Sequence, residues 1–348
     1  MPEILIAPDA LTAVVAKIMR AAGSDPREAN LVATNLVEAN LTGHDSHGIG
    51  MLPRYIEVLL EGDLRPNQHP TIELDTGPLL RVNGNTGYGQ VIGMETMELG
   101  IARARQHGVC LASLTNSHHL GRIGHWAEQC VAAGLVSVHF VNVLPRPIVA
   151  PFAGRDGRFS TNPFCVGIPL KDQPPFILDF ATSRIAAGKV RVAYNKGEPL
   201  QPGPLLDAAG DPTTDPRHLV VNPLGALLPF GEHKGFGLAM ACELMAGAVA
   251  GGKTLHEAGN RMQIINNMLS ILIDPRIYGT QDVCAQQAAA FVEWVKASPP
   301  RADQEVLIAG DPERRTKAQR SAHGIPVDER TWEEIRAAAK RVNVTIPN

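Results

Sequence analysis

The sequence predicts an α/β fold built on a mixed sheet, and three observations carry that reading. From Gly84 onward, strand-like apolar runs alternate with segments of helical spacing: helix 90–106, strand 109–115, helix 122–133 and strand 135–143. The next two strand-like runs, 165–170 and 176–181, are joined by Lys171-Asp172-Gln173-Pro174-Pro175, a connection too short for a parallel crossover, so that pair is antiparallel. Ahead of them the chain is helical. Asp9 and Gly23 bracket a helix over 9–22, and Asp25-Pro26-Arg27-Glu28 supplies cap, first-turn proline and capping-box glutamate for a second helix running to about Thr42.

The remaining elements follow in order. A short helical piece at 55–60 is succeeded by a loop marked by Pro66 and Pro70, then by strands at 71–74 and 79–82. Residues 196–232 are rich in Pro, Gly and Asp and read as a long irregular excursion. Beyond them come a helix at 235–250, strand 268–274, helix 282–297, strand 306–310 and two C-terminal helices. The expected organisation is a helical N-terminal lobe, 1–78, joined by C-terminal helices within 300–348. A central α/β region, 79–299, would bind cofactor and substrate.

Composition narrows the function. Thirty-two Lys and Arg against 35 Asp and Glu leave a net charge of -3, so neither nucleic acid nor an anionic membrane surface is the expected partner. No segment reads as a secretory signal, and the most apolar long stretch, 237–252, carries Glu243 in its middle. Five scattered cysteines without a CxxC pair fit the reduced thiols of a cytoplasmic protein.

Chemistry is concentrated in the segment TNSHHLGRIGHWAEQC, 115–130, where His118 and His119 fall on a strand-to-helix connection at the rim of the sheet. A second segment, GHDSHG at 43–48, repeats the theme with Ser46 and His47, and two such segments that converge would make a site. Their spacings are not those of HExxH or a Cys/His finger, so no metal is expected. The dinucleotide fingerprint GxGxxG follows no strand-like run. GAVAGGKT, 247–254, matches a phosphate loop in form, with Asp274 as its would-be acidic partner, yet it leaves a helix rather than a strand, which argues against a nucleotide hydrolase. A third reading, a non-catalytic metabolite-binding protein, stays open at this stage. His233-Lys234-Gly235 opens a helix, where free amides and a cation suit a phosphate.

The ordered motifs DSHGIGMLPRY, NSHHLGRIGHW, STNPFCVGIP, ILDFATS, DPTTDP and EHKGFGLAMACELMAG resemble the malate/L-lactate dehydrogenase family, which lacks a Rossmann domain. Together with VEWVKASP they are most similar to its hydroxycarboxylate dehydrogenase branch. The resemblance implies a mostly antiparallel sheet wrapped by helices, NAD(H) or NADP(H) as cofactor and a homodimer. It implies reduction of 2-oxo acids to 2-hydroxy acids, or of a related substrate such as a cyclic imino acid or ureidoglycolate. Carried over, the acid/base histidines fall on His119 and His47, with Ser46 as an orienting hydrogen-bond partner. The cofactor contacts fall on Phe176, Ile177, Leu178, Asp179, Phe180, Ala181 and Thr182, on His233 and Lys234, and on Asp311, Pro312 and Glu313. Where several relatives have an arginine four residues after the first-motif histidine, this chain has Met51, which implies a softer pocket favouring aromatic or bulky 2-oxo acids. Arg54 or Arg122 would then hold the substrate carboxylate.

Overall fold

The Asp25 carboxylate accepts the backbone N–H of Glu28 at 2.8 Å, and Pro26 takes a first-turn position where no N–H is needed, so the second helix starts where the sequence places it. The computed structural model describes residues 3–144, 146–257, 263–277 and 279–346. The chain opens with β1 (Glu3–Ile6), α1 (Pro8–Ala21) and α2 (Pro26–Leu41); two 3-10 turns, Asp45–His47 and Ile49–Met51, lead into α3 (Leu52–Leu60). The central elements are β2 (Thr71–Thr76), β3 (Leu79–Asn83), α4 (Gly89–His107), β4 (Val109–His118), α5 (Gly124–Ala132), β5 (Val136–Leu144), β6 (Phe164–Ile168) and β7 (Phe176–Phe180). Next come α6 (Ala187–Lys196), β8 (Leu205–Leu206), β9 (Pro212–Thr213), α7 (Arg217–Val220) and β10 (Ala226–Leu227). The chain ends with α8 (His233–Cys242), β11 (Ile265–Ile273), α9 (Gln281–Lys296), α10 (Asp311–His323), β12 (Ile325–Asp328) and α11 (Glu329–Arg341).

The main sheet has the order β2-β3-β4-β11-β5-β6-β7, and only β3 and β4 run parallel. It is therefore mixed and mostly antiparallel, with β6 and β7 forming the expected hairpin. One apolar core lies between this sheet and α4 and α5, around Trp126, Met97, Leu114 and Met268. A second unites α1, α2 and α3 with β12 and α11. The edge strand β2 is exposed along its length, and the ion pairs Glu73–Arg81 and Asp75–Arg103 charge that edge against pairing with another chain.

Three expectations change. Residues 306–310 form no strand, because Asp311 turns back to accept the Ile308 N–H at 3.1 Å and Gly310 adopts a left-handed φ of 96°. The irregular stretch 196–232 instead contains a small three-stranded sheet, β10-β8-β9, packed on Val149, Val190 and Leu219. The helix expected over 235–250 is α-helical only to Cys242 and continues as a π turn, Glu243–Val249. That widening seats the Glu243 carboxylate in the interior, where it accepts from Asn162 Nδ2 at 2.7 Å and the Leu255 N–H at 2.6 Å.

Candidate active site

β4 ends at His118, and the Leu120 N–H bonds Asn266 Oδ1 on β11 at 2.9 Å, which fixes the turn carrying His119. α4 starts against this turn so closely that a Cβ on Gly89 would stand 2.2 Å from the His119 carbonyl oxygen. On the other side, Asn40 of α2 shapes the turn bearing His47: its Oδ1 accepts the Ile49 N–H at 2.8 Å and its Nδ2 donates to Asp45 at 2.6 Å. Gly48 is required there, since a Cβ would fall 2.1 Å from Asn40 Oδ1.

The two histidine segments meet. His47 Nδ1 lies 3.2 Å from His119 Nε2, with the rings stacked at 16°. His119 Nδ1 lies 2.7 Å from the hydroxyl of Tyr55 on α3, and Gln90 of α4 donates to that hydroxyl at 2.9 Å. His119, Tyr55 and Gln90 are buried, whereas His47 is only partly so. Burial pushes the imidazoles toward the neutral form: His47 down to about 4, with His44 and Arg122 adding to it, and His119 well below its usual range, with His47 and His118 adding to it. Burial raises the Tyr55 phenol, so it also stays neutral. His118, fully buried and edge-on to Tyr55, has neither ring nitrogen hydrogen-bonded.

Ser46 does not take the place expected for it. Its Cβ packs toward Gly188 at the start of α6, and among the described residues its hydroxyl bonds neither histidine. Asp45 does not restrain His47 either, because Arg320 and Asn40 engage its carboxylate.

The three segments carried over as cofactor contacts converge on β7. At its start, Ile177 N–H approaches the Ala309 carbonyl and Arg314 donates to the Pro175 carbonyl at 3.0 Å, which brings Asp311, Pro312 and Glu313 alongside. At its end, the Thr182 carbonyl accepts the Phe230 N–H at 3.0 Å, and Phe180 packs edge-on to Phe230, just before His233 and Lys234. Lys234 is exposed and has no ion-pair partner among the described residues. In the strand itself Asp179 accepts the Gly124 N–H at 2.7 Å, and burial raises its carboxyl. The Asp311 carboxylate is occupied by Arg314 and Lys296 and held down to about 2, against the desolvation of its partly buried position. Glu313 faces His44 at 3.4 Å, while its Oε2 is buried without a partner. Arg122, Asp179, Glu313, Arg314 and Lys317 line a cavity of about 190 Å³.

Of the substrate candidates, Met51 is half-buried against the N-terminal core, one helical turn before Tyr55. Arg54 pairs with Glu57 at 2.5 Å and stands near enough to His118 to disfavour its protonation. Arg122 is buried in an ion pair with Glu128. Sequence reasoning missed Tyr55, Gln90 and Arg146. Arg146 is exposed and has no ion-pair partner among the described residues; desolvation by the surrounding protein, with Arg54 and Arg191 adding to it, lowers its proton affinity. Among the described residues no group of three or more His, Cys, Asp or Glu side chains is placed to hold a metal ion, and no helix is long and apolar enough to cross a membrane.

Residues 6–336 match the family model described as malate/L-lactate dehydrogenase. Hydroxycarboxylate dehydrogenase B of Escherichia coli O157:H7 is 49% identical over 337 residues, covering 96% of this chain and 93% of that protein. L-lactate dehydrogenase of Cupriavidus necator is 39% identical over 320 residues, 91% of each. A solved structure from E. coli, described as a malate/lactate dehydrogenase, superposes with a TM-score of 0.94 at 47% identity, covering 98% of this chain and 96% of that one. Fold, site and these likenesses define an enzyme of the 2-hydroxyacid dehydrogenase class, which implies a nicotinamide cofactor. The chain belongs to the malate/L-lactate dehydrogenase family.

Proposed function

We propose that this enzyme interconverts 2-oxo acids and 2-hydroxy acids with NAD(H) or NADP(H), and that His47 and His119 act together as its proton-transfer unit. The observation that supports this most is the hydrogen-bonded line Gln90, Tyr55, His119, His47, which ends on a partly exposed imidazole. Reduction of a ketone needs a proton for the developing alkoxide, and an imidazole can give or take one; both rings rest neutral here, so the negative charge that develops on a bound substrate would have to raise their proton affinity during the reaction. A bound nicotinamide would supply or accept the hydride at C2. The chain's own residues suit such a group. The strand 176–180 extends about 16 Å at ~3.3 Å per residue, with an exposed lysine and a helix start beyond its end, the Asp179 carboxylate within it and the Glu313 carboxylate beside its start. The direct test is oxidation of NADH or NADPH by a panel of 2-oxo acids, where no turnover of any acid with either cofactor would remove the proposal. The same reading extends to a cytoplasmic homodimer, which sedimentation velocity tests for the oligomer.

Lys234 is assigned to a cofactor phosphate. Lys234→Ala should weaken cofactor binding about tenfold in a fluorescence titration, a loss of the size expected for a charge-assisted contact. Lys253→Ala should leave that titration unchanged, because residue 253 contributes only its backbone carbonyl, bonded by Asn142 and Asn267. Equal titrations for Lys234→Ala and the parent would remove Lys234 from the cofactor site.

Arg54 and Arg146 together are assigned to the substrate carboxylate, since Arg54, though paired with Glu57, is partly exposed, whereas Arg122 is buried in its pair with Glu128. With Met51 apolar, the far side of the pocket should favour a hydrophobic substituent; burying a phenyl ring contributes on the order of 1.5 to 3 kcal/mol. Phenylpyruvate should therefore be reduced at least as efficiently as pyruvate, and Met51→Arg should move preference toward oxaloacetate. A parent preference for pyruvate over every bulkier acid, unmoved in Met51→Arg, would place residue 51 outside the pocket.

A further inference from the structure

The donors and acceptors behind the histidine pair can be counted, and the count gives the line a direction. Gln90 presents Nε2 to the Tyr55 oxygen at 2.9 Å, while its Oε1 is buried without a partner. As placed, Oε1 and one of the two Nε2 hydrogens lack a partner among the described residues; turning the amide over would satisfy Oε1 but leave both N–H groups orphaned, and orphaned N–H groups are the rarer and costlier kind. With the Tyr55 oxygen accepting from Gln90, its single hydrogen is left for His119 Nδ1, 2.7 Å away. A neutral imidazole that accepts at Nδ1 carries its proton on Nε2, which here faces His47 Nδ1 at 3.2 Å. His47 then accepts at Nδ1 and carries its own proton on Nε2, the nitrogen with no partner among the described residues.

We propose that Gln90, acting through Tyr55, is a positioning residue that fixes both histidines as their Nε2–H tautomers, so that the resting site offers a hydrogen-bond donor and selects the 2-oxo acid over the 2-hydroxy acid. This rests on the assignment of the histidine pair to proton transfer. Every bond in the line points the same way, from the amide buried under α4 to the open edge of His47. A ketone oxygen can only accept, and it meets an N–H. A hydroxy acid can bind there only by accepting as well, which turns its own proton away from the base that must remove it.

Gln90→Glu tests the direction with almost no change of shape. At a pH where infrared shows the introduced carboxyl ionised, it accepts from Tyr55, so Tyr55 must accept from His119 Nδ1–H, His119 Nε2 must accept from His47 Nδ1–H, and His47 Nε2 becomes a bare acceptor. Imidazole ¹⁵N shifts of histidine-labelled enzyme, assigned by difference from His47→Gln and His119→Gln, read the tautomers without any turnover. The parent should show Nε2–H on both rings and Gln90→Glu should show Nδ1–H on both. The ratio of dissociation constants for phenyllactate and phenylpyruvate on the cofactor-bound enzyme should fall about tenfold in Gln90→Glu, the size of one neutral hydrogen bond gained or lost. Tyr55→Phe breaks the line and serves where Gln90→Glu does not fold or does not ionise: His119 should then show mixed tautomers and the preference for the 2-oxo acid should weaken. Unreversed tautomers in a folded, ionised Gln90→Glu, or a parent with Nδ1–H on His119, overturns the proposal. Correct tautomers combined with full activity in His47→Ala and His119→Ala would instead remove the catalytic reading and leave the polarity of the line standing.

Discussion

His119→Ala should lower kcat for 2-oxo acid reduction by about 10²-fold or more, the usual cost of losing a general acid/base, while the cofactor's dissociation constant stays near that of the parent. His47→Ala should do the same on the proposed assignment, in which the proton passes along two rings bonded in series. The pair differs in what else it holds. His119 is 7% exposed and is the partner of the buried Tyr55 hydroxyl, so its removal also leaves that hydroxyl short of an acceptor, a stability cost of about 1 to 3 kcal/mol. His47 is half-buried on a turn that Asn40 holds independently, so His47→Ala should lose turnover with little change in melting temperature. Steady-state kinetics over pH 6 to 9, read beside thermal melting and cofactor titration, separates these effects. Parent-like turnover in both variants would show that the imidazoles do not carry the proton.

How much of this was legible depends on whether the signal was local. Asp25 with Pro26 and Glu28 names a helix start within four residues, and the five residues 171–175 force a hairpin whatever lies around them. The histidine segments were legible for the same reason, as polar chemistry crowded onto turns, between a strand and a helix for His119 and between two helices for His47. Tyr55 and Gln90 were not, because each reads as an ordinary residue on a helix and gains its role only when α3 and α4 meet at the end of β4. The pairing of β1 with β12 joins residues more than 300 positions apart through strands of four residues, too short to show a period. Ser46 shows the opposite failure: its neighbour in sequence is His47, yet its side chain packs toward α6, which no local pattern reveals.

Acid should destabilise the enzyme well before its carboxylates give way. His118 and His139 are fully buried, and burial lowers both to about 3, His118 with a further push from Arg54. His139 is satisfied in the neutral form by Ser270 Oγ at 2.8 Å and Ser137 Oγ at 3.0 Å, whereas His118 has no partner at either nitrogen. In the unfolded chain each imidazole returns to about 6.5. Between pH 6.5 and about 3 the unfolded chain therefore binds protons that the folded chain refuses, and stability falls as pH falls. At pH 5 the difference amounts to about 2 kcal/mol for each of these two groups, at 1.36 kcal/mol per unit. Burial raises Glu28 and Asp179, which act in the opposite sense over a window that runs upward from the ordinary carboxylate range, so they offset part of the histidine effect. The melting temperature at pH 5 should lie roughly 5 °C below that at pH 8. His118→Phe replaces an imidazole that makes no hydrogen bond by an apolar ring, so it should recover a measurable part of that difference and lose nothing at pH 8. Equal melting temperatures at the two pH values, or a His118→Phe variant with the parent's full pH dependence, would show that the His118 imidazole is not held neutral in the fold.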